Sequence, residues 1–231
     1  MNALLDRFAR TFQGVAYQHR SSTTGDRISE CLFEDLLEIN RSPKLIDGVT
    51  SGAIVLNRAN RVSGQARKRR GDGTFGERAP SEQPTFEDGF RVGRAAVAEV
   101  QIGVEMKIMA KAMIKQVERV QSDLVRQSTV FRQMNSRAIS VGIVGVNFAE
   151  YAIGYEGARE FRSTVPPSRE APEVLRRLDE FVRPHLDELI VLKYKATNEA
   201  PFLFDWVGLA STEAEYSSAL VRISNQYQQR F

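Results

Sequence analysis

Residues 139–148, Ile-Ser-Val-Gly-Ile-Val-Gly-Val-Asn-Phe, are the run that most constrains how this chain can fold. Side chains alternate between the two faces of a strand, so a run that is apolar at odd and even positions alike needs cover on both sides. That requirement places 139–148 at the centre of a sheet with helices on either face. Strand patterns are also expected at 53–56, 86–92, 96–108 and 189–195. Helical spacing covers residues 4–12, 26–39 with Asp26 as N-cap, 109–127, and 172–188 with a break at Pro184. Thr212-Glu213-Ala214-Glu215 reads as a capping box that opens a last helix. Interleaved helices and strands imply a three-layer α/β fold, a central mixed sheet flanked by helices. One domain is expected over 1–231, with its core at 24–148, a long basic and polar loop at 63–84, and a C-terminal elaboration at 149–231 packed on that core.

Composition removes whole classes of chemistry. The chain has two histidines, His19 and His185, and one cysteine, Cys31, too few for a zinc hydrolase, a His-metal centre or an internal disulfide. A catalytic metal would have to rest on oxygen ligands, which favours Mg²⁺, with Mn²⁺ as the alternative. The Gly-x-Ser-x-Gly elbow of serine hydrolases does not occur. Cys31, among Leu32, Phe33 and Leu36, reads as a buried structural thiol. No apolar run approaches the roughly 20 residues of a membrane span, and residues 1–10 lack the apolar core of a signal peptide, so a cytoplasmic protein is expected. Gly71-Asp72-Gly73-Thr74-Phe75-Gly76 spells G-x-G-x-x-G, but Arg-rich sequence precedes it and Pro80 follows where a helix should open, which argues against a dinucleotide fingerprint.

The chemistry-bearing segment is Val100-Gln101-Ile102-Gly103-Val104-Glu105-Met106-Lys107-Ile108. Strand alternation gathers Val100, Ile102, Val104, Met106 and Ile108 on one face and Glu99, Gln101, Glu105 and Lys107 on the other. Glu105 and Lys107 leave the same face about 7 Å apart, close enough to act on one phosphate or water. By itself such a pair is more often a solvated ion pair worth roughly 0–1 kcal/mol. Here a helix follows directly, and Asp88 lies upstream within hairpin distance. Asp72 and Glu87 are rivals for the second acid. Glu99 sits roughly 20 Å from Glu105 along an extended strand, too far to share an ion.

An Asp, a Glu-x-Lys strand and a following helix resemble the restriction endonuclease-like nucleases, the PD-(D/E)xK superfamily. The resemblance covers about residues 24–148; Glu87, not proline, precedes Asp88. It implies a restriction endonuclease-like fold and a Mg²⁺-dependent endonuclease that hydrolyses DNA to 5′-phosphate and 3′-hydroxyl ends, as bacterial type II restriction or phage-defence enzymes do. Asp88 and Glu105 would hold the metal, with Glu30 or Glu34 as an added helix acid, and Lys107 would act on the water or phosphorus. Lys111, Lys115, Gln116 and Arg119, on the helix that flanks the site, would hold substrate phosphates. Net charge is +3, and Arg58, Arg61, Arg67, Lys68, Arg69 and Arg70 form an acid-free run that suits the backbone of double-stranded DNA or a solvated loop. A homodimer or higher homo-oligomer is expected of an enzyme that cuts both strands. The competing expectation is a non-catalytic nucleic-acid- or protein-binding α/β domain.

Overall fold

The computed structural model describes residues 2–18, 22–57, 72–156 and 159–231. Along the chain run α1 (Ala3–Arg10), α2 (Ser22–Glu38), α3 (Pro43–Thr50), β1 (Ile54–Asn57), β2 (Gly73–Arg78), β3 (Arg94–Ala95), β4 (Val97–Met109), α4 (Met113–Met134) and β5 (Ile139–Asn147). They are followed by β6 (Ile153–Glu156), β7 (Arg159–Arg162), α5 (Pro167–Phe181), β8 (Glu188–Ala196), β9 (Phe204–Trp206) and α6 (Leu209–Arg230). Seven strands form one mixed sheet in the order β3-β1-β2-β4-β5-β8-β9, and β6-β7 make a separate ribbon. β2 is antiparallel to both β1 and β4, whereas β4, β5 and β8 are mutually parallel.

Helices cover both faces. On one side Leu4 and Phe8 of α1, Ile28 and Leu32 of α2, and Tyr216, Leu220 and Ile223 of α6 pack against Ile102, Val104, Ile143 and Leu192. On the other, Met113, Val117 and Leu124 of α4 and Val174 and Leu178 of α5 pack against Val144, Val146 and Leu189. The chain is therefore α/β with a large mixed sheet between helical layers. Every residue of β5 is buried, as its two-faced apolar run requires. Residues 149–231 share this core, since β8 extends the sheet beside β5 and α6 lies over it. Cys31 is buried. Among the described residues, no helix is long and apolar enough to cross a membrane.

Asp35, 5% exposed, fastens α1 to α2 and α6. Its carboxylate accepts from Ala3 N at 2.7 Å, Leu4 N at 3.0 Å and Tyr216 Oη at 2.7 Å. The backbone N–H groups of a first helical turn have no partner within their own helix, so a carboxylate placed there satisfies them.

Several elements depart from the sequence reading. Of the expected loop 63–84, residues 63–71 lie outside the described residues and Gly73–Arg78 form strand β2, flanked by β1 and β4, with Asp72 immediately before it. Residues 86–92 are not a strand: the chain turns at 88–89, and pairing resumes only at Arg94. Asp26 lies inside α2 rather than capping it. α4 begins at Met113 and runs on to Met134, α5 spans Pro167–Phe181, and α6 starts at Leu209, which puts Thr212 within the helix. The alternation of β4 is also interrupted. Ile102 pairs with Phe75 but Val100 with Gly76, a bulge that turns Val100 toward Phe131 of α4 and puts Glu99 on the face opposite Glu105.

Candidate active site

The head of β2 meets the carboxyl half of β4, and both lie at the end of the sheet where the parallel strands finish. Ligands of open α/β sheets gather at this end. Gly73 pairs with Val104, so Asp72 arrives beside Glu105. Asp72 Oδ2 accepts the Met106 N–H at 2.7 Å, which ends the ladder with a side chain. Gly25 of α2 allows the close approach, because a Cβ there would fall 2.6 Å from Asp72 Cγ.

Glu105 shares the face of Gly103, and a Cβ at Gly103 would sit 2.3 Å from the Phe131 ring. α4 runs back down over this face. Its rise over four residues, about 6 Å, nearly matches the rise of two strand residues, so Phe131, Gln127 and Asp123 stack over Gly103, Glu105 and Lys107 in turn. Thr74 pairs with Gly103 and points the same way. Asp72, Thr74, Glu105, Lys107, Asp123 and Gln127 thus enclose one polar patch between β2, β4 and α4.

This is not a solvated face. The Glu105 side chain is 12% exposed and that of Lys107 26%. Lys107 Nζ donates to Glu105 Oε1 in a short bond, while the buried Oε2 has no hydrogen-bond partner among the described residues. The same holds for the buried Thr74 Oγ1 and Gln127 Nε2. Burial first and the Asp72 charge second push the Glu105 carboxyl up, Lys107 opposes and Asp123 adds to the rise, for a net value of about 7. Asp123 also pairs with Arg126 at 3.7 Å. Leaving a buried polar atom unpaired costs roughly 1–3 kcal/mol, so each of these atoms calls for a partner or a role, as do Tyr194 Oη and Ser224 Oγ elsewhere in the fold.

Two neighbouring carboxylates are a donor set that a hard divalent cation could use. Among the described residues no group of three or more His, Cys, Asp or Glu side chains converges as a metal site. Mg²⁺ commonly needs only one or two carboxylates, completing its shell with water and substrate phosphate. Asp72 and the unpartnered Glu105 Oε2 are the donors that would hold it, with Lys107 beside them.

Glu105 and Lys107 lie together as their spacing suggests, but the acid that acts on Glu105 is Asp72. Asp88 sits in an exposed turn beyond edge strand β3, with β1 and β2 between that edge and β4, a lateral offset of about 14 Å. Glu87 bonds Arg27 and Arg94. The helix acids are engaged away from Glu105: Glu30 pairs with Arg27 and Arg94, and Glu34 holds Arg91 through its backbone and guanidinium. Lys111 donates to Phe161 O of β7, Gln116 donates to Lys111 O, and Lys115 and Arg119 are exposed at the start of α4. Arg67, Lys68, Arg69 and Arg70, like Arg58 and Arg61, lie outside the described residues. Thr74, Asp123 and Gln127 escaped the sequence reading. Their one legible signal is Gln127, an amide one helical turn before inward-facing Phe131.

No family model matches the chain, and no curated protein or solved structure does.

Proposed function

We propose that this chain is a Mg²⁺- or Mn²⁺-dependent nuclease of the PD-(D/E)xK kind, with a restriction endonuclease-like fold, that hydrolyses phosphodiester bonds of double-stranded DNA. One observation carries the reading: a buried Glu105 oxygen with no partner among the described residues, one strand from Asp72 and on the same face as Lys107. An Asp, a Glu-x-Lys strand and a following helix are the parts the resembled family combines.

Each residue has work suited to phosphodiester hydrolysis. The bound metal would supply Lewis acidity toward the scissile phosphate. Asp72, just before β2, and Glu105 of the neighbouring β4 would hold it. Lys107 faces the negative charge that grows on the phosphoryl oxygens, and in so sheltered a place a fixed ammonium acts more strongly than in water. The amide of Gln127 and the hydroxyl of Thr74 stand ready to orient Glu105 or a water, which accounts for their lack of other partners. Lys111, Lys115 and Arg119 extend positive charge from the site along α4 and would position duplex phosphates. Two copies, each cutting one strand, would sever a duplex, as a restriction or phage-defence enzyme requires.

Supercoiled plasmid incubated with the purified protein tests this. Nicking or linearisation in Mg²⁺ or Mn²⁺, absent in EDTA and absent in Glu105→Gln, supports the nuclease. Plasmid left intact in both metals would instead favour a non-catalytic binding domain.

A further inference from the structure

An arginine-lined groove opens at the junction of α1 and α2. Arg7, Arg10, Thr11, Gln18, Thr24 and Arg27 line a groove of about 470 Å³, with no carboxylate in its lining among the described residues. Arg7 and Arg10 are exposed in the last turn of α1, and neither has an acidic partner among the described residues. Arg27 is held in place from below, its Nη1 bonding Glu30 at 3.1 Å and Glu87 at 2.6 Å. Arg7 lies near enough to Cys31, one helical turn beyond Arg27, for its charge to act on that thiol. Three arginines and three hydroxyl side chains, Thr11, Tyr17 and Thr24, therefore line a single space. Planar guanidinium donors match phosphate oxygens in pairs.

Position identifies the source of the phosphate. Thr24, on the groove wall, is next to Gly25, which packs against Asp72. Asp72 thus stands at the end of the sheet between the groove, on the α1–α2 side, and Glu105, on the α4 side. We propose that the Arg7–Arg10–Arg27 groove is a phosphate-binding subsite that takes a backbone phosphate of the same nucleic-acid strand that lies at Glu105, flanking the bond to be cut. This rests on the nuclease reading above. It adds an anchor on the side of the site opposite Lys111, Lys115 and Arg119, so that the strand is held on both sides of the scissile bond.

Two measurements test it. First, inorganic phosphate is titrated into the protein at constant ionic strength while the arginine Nε–Hε resonances are followed by NMR. The signals of Arg7, Arg10 and Arg27 should move together and saturate, and Arg7→Gln/Arg10→Gln should abolish the response at Arg27. Both positions are exposed, so the double variant should keep the fold. Unmoved resonances overturn the subsite, whatever happens at Glu105. Second, binding of duplex DNA is measured in the Glu105→Gln background across a salt series. Adding Arg7→Gln/Arg10→Gln should weaken binding roughly tenfold at 0.1 M salt and lower the slope of log affinity against log salt by about 0.9, the loss of one phosphate contact. DNA binding with an unchanged slope overturns the assignment to a backbone phosphate. Failure of the parent protein to bind DNA, with the phosphate response intact, removes the nuclease reading and leaves the phosphate groove supported.

Discussion

Asp35 accepts hydrogen bonds from three donors, whereas Glu105, also buried, leaves one oxygen with none among the described residues. The first arrangement holds helices together, and its loss should be felt in stability alone. Asp35→Ala is expected to cost at least about 2 kcal/mol in urea unfolding, while cleavage per folded molecule stays at the wild-type rate. Glu105 should behave in the opposite sense. Its folded value of about 7 lies above the ordinary 4.5, so between those pH values the folded state keeps a proton that the unfolded chain has released. Stability without metal therefore falls as pH rises through that window, by up to about 3 kcal/mol at 1.36 kcal/mol per pH unit. Glu105→Gln lacks this titration. Urea melts of the two proteins should diverge from about pH 4.5 to 7, the variant gaining relative to wild type even as its cleavage should be lost. Parallel stability curves would show a carboxylate with ordinary solvation. Thr74→Val offers a quieter check. It removes a buried hydroxyl with no partner among the described residues, so stability should hold or rise by up to about 1 kcal/mol while cleavage slows.

At the scale of elements, α4 matters because it closes the polar patch over β4. Gly103 is the position that permits this, since any Cβ would meet the fully buried Phe131 ring. Gly103→Ala should cost about 1–3 kcal/mol by overpacking and should slow cleavage as well, because Gln127 and Asp123 ride on the same helix. Normal stability and rate in that variant would mean that α4 seats itself some other way. The elements legible in the sequence were those with their own period: β5, whose apolar residues fall on both faces, and the Glu105–Lys107 alternation within β4. β2 was not legible. Gly73-Thr74-Phe75-Gly76 has neither alternation nor a run of large apolar residues, and it becomes a strand because β1 and β4 pair with it on both sides. Asp72 was hidden with it, and Asp88 drew attention only because residues 86–92 resemble a strand that the chain does not form. The bulge opposite Phe75 and Gly76 was equally invisible, since it is a property of the pairing and not of either strand alone.

For the molecule as a whole, topology performs the essential step. An antiparallel β2 brings a residue from before the strand to the carboxyl half of β4, and the α2 start, the Arg7–Arg10 groove and the α4 start gather around the same end of the sheet. Positive groups then flank a sheltered, acid-rich centre, the distribution expected where a polyanion must approach a cation site. The claim that Asp72, Glu105 and Lys107 form the cutting centre is tested most directly by comparing two aspartates in one assay. Initial rates of Mg²⁺-dependent plasmid nicking are measured for wild type, Asp72→Asn and Asp88→Asn, each checked for folding by its urea midpoint. Asp72→Asn should fall by at least about a hundredfold, the scale of losing a charge-stabilising group in an active site, with its fold intact, while Asp88→Asn should cut at the wild-type rate. Undiminished nicking by folded Asp72→Asn would contradict the assignment of the centre.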